Sequence, residues 1–150
     1  MNYIFALLLV TISMTKINAQ ATEDSVKAVV NKMFDAMRSA DAAALKNTFS
    51  DNIVFHSIAT TEEGAAIVKS EDPKEFIDFI SKEKKGNADE QIVFETIKID
   101  GPLAFVWAPY KFYYAGKFSH CGVDSFQLVR INGAWKIQYI IDTRRKQGCE

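Results

Sequence analysis

Val26, Val29, Val30, Met33, Phe34 and Met37 recur at the spacing of one helix face, with Thr22 or Asp24 placed to cap its start. Acidic residues in the first turn suit the positive end of the helix dipole. Asp41 precedes Ala42, Ala43, Ala44 and Leu45, which predicts a second, short helix. A third should begin at Asp72-Pro73-Lys74-Glu75, where Asp72 caps, Pro73 takes the first helical position and Glu75 completes a capping box. Phe76, Ile77, Phe79 and Ile80 give it an apolar side, and Lys84-Lys85-Gly86 ends it.

The remaining pattern is β. Residues 53–58 read as a strand and 65–69 as a weaker one. Residues 91–99 form the next strand, closed by Asp100-Gly101-Pro102; then come 103–114, a turn at Ala115-Gly116, and 118–131. Asn132-Gly133 is a strong hairpin signal because both turn residues must accept positive φ, and 134–143 is the last strand. Helices come first and tight-turned strands follow, which predicts an α+β fold with helices packed on one face of an antiparallel sheet.

Counting back from a two-residue turn at Asn132-Gly133 pairs Arg130 with Trp135, Leu128 with Ile137, Phe126 with Tyr139 and Asp124 with Ile141. This face is the more apolar and should meet the helices. A two-residue turn at Ala115-Gly116 puts Lys111 opposite His120 and Trp107 opposite Asp124. Phe105, Trp107, His120, Asp124, Phe126 and Tyr139 then share one surface, while Asp142 and Arg144 fall on the convex side. Pro109 cannot donate to a central ladder and is a place where a bulge would shift this register.

A carboxylate on that surface needs partners, and burial would raise its pKa. Asp124 is therefore either a proton acceptor or ligand anchor in a pocket, or a hydrogen-bonded tie between sheet and helices. His120 lies four residues away, about 13 Å along a strand at ~3.3 Å per residue, too far for a direct dyad with Asp124. It stands near the turn, either at a pocket rim or in solvent. His56 is either a pocket group or an edge-strand residue.

Composition adds bounds. Residues 1–19 resemble an export signal: an apolar run over residues 3–12, then Ile17-Asn18-Ala19 ahead of Gln20 as a cleavage site. The run is shorter than the ~20 residues that a membrane span needs. The domain is then expected over residues 20–150, secreted or periplasmic, with no membrane contact after processing. Near-neutral charge, −1 for the whole chain, supplies no electrostatic reason for nucleic acid as partner. Two cysteines, Cys121 and Cys149, could pair if the tail folds back; the polar run 144–148 favours free thiols instead. Two histidines and two cysteines give no recognisable metal spacing, and no cofactor is expected.

The runs Val106-Trp107-Ala108-Pro109-Tyr110, Gly116 through Asp124, Phe126-Gln127-Leu128, Trp135-Lys136-Ile137 and Asp142-Thr143-Arg144-Arg145 resemble the lumazine-binding family, within the nuclear-transport-factor-2-like (NTF2-like) superfamily. The resemblance implies a conical α+β fold, a curved sheet wrapped on a long helix over a cavity. It also implies frequent dimerisation through the sheet, so a homodimer is expected, and a pteridine-type ligand. Because the superfamily holds both enzymes and binding domains, function must be argued from the site. The leading expectation is a non-catalytic domain for a small hydrophobic or flat aromatic ligand, held by Phe105, Trp107, Tyr113, Phe126 and Tyr139 and oriented by Asp124 and His120. The alternatives are an acid/base isomerase, dehydratase or cyclase, with Asp124 or His56 as base and Tyr110 or Tyr113 as donor, or a dimer-forming module.

Overall fold

The computed structural model describes residues 22–149, so the expected export signal lies outside the described residues. Among these residues are three helices and a curved, open sheet of seven strands. The first helix, α1 (residues 22–39), is long and amphipathic as its spacing predicts: Val26, Val30, Met33, Phe34 and Met37 are buried. It ends at Ala40, whose φ of 57° breaks the helical path, and α2 (Ala42–Lys46) restarts with the Asp41 carboxylate accepting from Ala44 N–H at 2.9 Å. Asp72 likewise accepts from Lys74 N–H at 2.8 Å to open α3 (Pro73–Lys82). Both caps satisfy amide donors that a helix start leaves free.

The strands are β1 (Phe49–Thr60), β2 (Ala66–Glu71), β3 (Ala88–Ile92), β4 (Thr96–Asp100), β5 (Leu103–Tyr114), β6 (Lys117–Ile131) and β7 (Ala134–Thr143), in the spatial order β2-β1-β7-β6-β5-β3, with β4 also on β5. Every pairing is antiparallel except β1 with β7, which is parallel. The strand expected over 91–99 is two strands. Pro109 explains the break: its carbonyl accepts from Val93 N–H at 2.9 Å, so its missing N–H falls on the β3/β4 side, where the partner strand is interrupted. The β5–β6 ladder runs past Pro109 undisturbed, with Pro109 opposite Val123.

Both expected turns form with positive φ, at Ala115-Gly116 and Asn132-Gly133. The register follows expectation close to each turn and then slips by one. Ser119 is an extra residue between Phe112↔His120 and Tyr113↔Phe118. Gln138 is an extra residue between Leu128↔Ile137 and Gln127↔Tyr139. Gln138 is held there by its own amide, which donates to Asn52 O at 2.7 Å and accepts from Ser50 Oγ at 2.8 Å. A one-residue bulge turns every later side chain to the other face. Asp124 therefore lies opposite Ala108 and Asp142, not Trp107 and Ile141, and Phe126 lies opposite Val106 and Ile140, not Tyr139.

The inner face carries Val106, Ala108, Phe126, Leu128, Trp135 and Ile137 against α1, with Phe34 and Phe126 in edge contact at 6.0 Å. Trp135 Nε1 also donates to Ser25 Oγ on α1 at 3.1 Å. Beyond β7 the tail runs on beside β6 in the same register. Cys121 and Arg145 exchange backbone hydrogen bonds at 2.9 Å, and Cys121 and Cys149 form a disulfide. The expectation of free thiols is thus corrected: the polar run 144–148 continues the ladder instead of fraying.

Candidate functional site

Between α1, α3 and the inner face of the sheet lies a cavity of about 250 Å³. Helix α1 contributes Met33, Phe34 and Met37, and α3 contributes Phe76, Phe79 and Ile80, so both helices supply only apolar side chains to it. The sheet supplies Phe55, Phe112, Phe126 and Ile140, and also every polar group. Those polar groups come from different strands onto one patch because alternate residues of adjacent strands share a face.

Asp124 is buried on β6, 4% exposed, and no N–H or hydroxyl group reaches its Oδ2. Its carboxyl hydrogen-bonds with that of Glu90, which β3 projects inward between Ala88 and Ile92. Two carboxyls can do this only while one keeps a proton. Burial, reinforced by the charge of Glu90, pushes Asp124 well above the usual carboxylate range. Burial raises Glu90 to about 7; its hydrogen bond with Asp124 works against this, and the Asp142 charge adds to it.

Next to the pair, Arg144 joins Asp142 (Nε to Oδ2, 2.7 Å) to Glu71 on β2 (2.8 Å), and Ser57 Oγ donates to Glu71 at 3.0 Å. The Tyr110 hydroxyl donates to Thr143 O at 2.9 Å and to Asp142 Oδ2 at 3.2 Å, and burial holds its pKa far above the ordinary value. His120 packs on Tyr110 and Phe112 (ring centroids 5.7 and 5.1 Å), with Nδ1 at 3.0 Å from Ser119 Oγ. Burial, then the Arg144 charge, lowers its pKa, so it is neutral at pH 7.

Three of the residues expected to meet a ligand, His120, Asp124 and Phe126, line this cavity. Phe105, Trp107, Tyr113 and Tyr139 do not. The two bulges place the alternation of β5 and β7 one step away from the expected register, and Trp107 is 40% exposed on the outer face. Tyr113 makes its ring contact with Phe118 at 5.9 Å. His56 borders the cavity, yet its ring turns away to Tyr139, with Nδ1 at 2.9 Å from the hydroxyl. Asp142 and Arg144, expected on the convex side, line the cavity instead, for the same reason as Tyr139 leaves it. The sequence reading missed Glu90 by starting its strand at residue 91. The alternation Ala88, Glu90, Ile92 would have revealed it as an inward carboxyl.

The Glu90–Asp124 pair fixes a pH dependence. Both groups bind protons more tightly folded than unfolded, so their contribution to stability is full below the unfolded carboxyl range; the Glu90 share is lost as pH rises through about 7. From pH 5 to 7.5, the melting temperature of the native protein should fall more than that of Glu90→Gln. The difference between the two proteins isolates the pair from carboxylates such as Asp89, which a hydrogen bond from Arg38 holds low and which act in the opposite direction. Identical slopes would show that no proton is shared. Among the described residues, no group of three or more His, Cys, Asp or Glu is arranged to hold a metal ion.

The arrangement matches known folds. An NTF2-like protein of unknown function from Shewanella baltica OS155 superposes with a TM-score of 0.64 at 15% identity, covering 85% of this chain and 96% of that one. One from Silicibacter pomeroyi DSS-3 gives 0.64 at 18% identity over 85% and 98%. A conserved protein from Planctomyces limnophilus DSM 3776 gives 0.63 at 18% over 84% and 98%. At these identities the likeness establishes the fold alone. No curated protein shows a significant match. The model of the family described as "Putative lumazine-binding" matches residues 21–139, most of the chain, and the protein belongs to that family.

Proposed function

We propose that this is an exported domain that binds a small molecule in the cavity under α1. The observation that carries the reading is the cavity's division into an apolar body and a single polar end containing a buried carboxyl with an unmet acceptor. Binding sites for small molecules combine these two features: apolar walls for affinity and a few polar groups for orientation. Phe34, Phe112 and Phe126 would hold a flat ring, and Asp124 with Glu90 would orient it. His120 would stand beside the ring as a neutral group. The disulfide supports export, because such bonds persist in oxidising compartments. The apolar groups left on the outer face, Trp107 and Phe118 among them, support pairing of two copies through the sheet. Native mass spectrometry of protein purified from its own host tests all of this at once. The expected result is a dimer mass with one small molecule per chain. An empty monomer in every preparation would count against both statements.

One observation favours acid/base catalysis as a second reading. A carboxyl that titrates about 7 in a mostly apolar cavity is suited to exchange protons with a substrate at neutral pH. In that case Glu90→Gln abolishes turnover, whereas in the binding reading it changes affinity alone.

A further inference from the structure

We propose that the ligand of this cavity is an organic cation: a small ring carrying an amine or amidine, with its N–H groups on Asp124 and Glu90. This deepens the binding reading and rests on it. The first argument is the orphaned oxygen. Asp124 is buried and lines the cavity, and no N–H or hydroxyl group reaches Oδ2, so one proton shared with Glu90 is all that the two carboxyls have between them. Buried acceptors left without donors are costly, so the site is complete only when something brings further donors.

Beyond the proton it shares with Glu90, no N–H or hydroxyl of the protein is placed to meet it, which is the second argument. Arg144 is engaged by Asp142 and Glu71, and the Tyr110 hydroxyl by Thr143 and Asp142. His120 Nδ1 is taken by Ser119 Oγ and His56 Nδ1 by the Tyr139 hydroxyl. The helices α1 and α3 bring no charge to the cavity.

Charge is the third. Four carboxyls (Glu71, Glu90, Asp124 and Asp142) surround a single guanidinium. With the one guanidinium, Arg144, already paired with both Asp142 and Glu71, and one proton shared by Glu90 and Asp124, the carboxyls outnumber the positive charge at the polar end. An anionic ligand would be repelled there. A neutral acceptor could use only the one shared proton. A cation supplies donors and charge together, and on binding it displaces that proton. The aromatic walls suit the ring of an organic cation, and among the described residues no group of three or more His, Cys, Asp or Glu is arranged for a metal ion.

Proton displacement makes the proposal measurable with three isosteric probes: benzamidine (cation), benzamide (neutral) and benzoate (anion). They are titrated by calorimetry into the native protein, freed of any co-purified molecule by unfolding and refolding with the disulfide kept. Runs at pH 6, 7 and 8 in buffers of different ionisation enthalpy count protons. Benzamidine should bind at least ~10-fold more tightly than benzamide, and benzoate not at all. Its affinity should rise as pH increases from 6 to 8, with about one proton released per bound cation at pH 8. Asp124→Asn and Glu90→Gln should each abolish the preference for benzamidine over benzamide while benzamide still binds. Either variant suffices if the other does not fold. Equal binding of benzamide and benzamidine, any preference for benzoate, or no proton release overturns the cation proposal and leaves the binding reading standing. If none of the three binds at millimolar concentration and the host-purified protein carries nothing, the binding reading falls and the cation proposal with it.

Discussion

Gly122→Ala is expected to lower stability by about 3 kcal/mol or more, at the upper end of what overpacking costs, because backbone and not a flexible side chain stands in the way. A Cβ at Gly122 would sit 1.7 Å from Thr143 O and 2.8 Å from the Tyr110 ring. Tyr110 lies directly across the β5–β6 ladder from Gly122, and its ring crosses the bare backbone to reach Thr143 and Asp142. The glycine is therefore the reason the tyrosine hydroxyl can reach the polar end of the cavity. Thermal unfolding should show a drop of roughly 10 °C for a domain of this size. The variant should also lose discrimination among the cationic, neutral and anionic probes, because Asp142 moves with Tyr110. A variant within ~0.5 kcal/mol of the native protein would mean that β6 and β7 are not held so close at this row.

Removing the Cys121–Cys149 bond should cost a comparable amount. It closes a loop across 28 residues, for which the chain-entropy model gives about 3–4 kcal/mol. The bond pins the segment that carries Arg144 and Arg145 along β6. With the tail loosened, Arg144 should release Glu71 and Asp142, leaving two carboxylates without their counter-charge. Thermal unfolding with and without reductant, and of the Cys121→Ala/Cys149→Ala double variant, reads both effects. An unchanged melting temperature in the double variant would show that the backbone ladder between Cys121 and Arg145 holds the tail unaided.

The helices and turns were legible in the sequence because their signals are local. Asp41, Asp72-Pro73, Ala115-Gly116 and Asn132-Gly133 each specify a backbone conformation within a few residues, and each forms as read. The face of the sheet was not legible in the same way. Register was counted outward from two correct turns, and it held until Ser119 on one side and Gln138 on the other. Neither bulge has a local signature, because Gln138 is held out by Ser50 and Asn52, far away in the chain. Asp124 was placed inside correctly. Its supposed neighbour Trp107 was carried outside, and its true neighbours, Glu90 and Asp142, were overlooked or placed on the wrong side. Proline at 109 was recognised as a disturbance, but the disturbance acts on the strand beside it, splitting residues 91–99 in two.

The parallel pairing of β1 with β7 sets an order of events during biosynthesis. On the ribosome, β1 emerges long before its neighbour exists, and only the short hairpin with β2 is available to it. Residues 103–143 can form their own meander, so the late part of the chain should organise first and capture β1 afterwards. Pulse-labelling hydrogen exchange during refolding should therefore register protection in β5, β6 and β7 ahead of β1. Until that meander forms, the apolar stripe of α1 has no sheet to cover it, which makes the half-finished polypeptide a natural client for a chaperone.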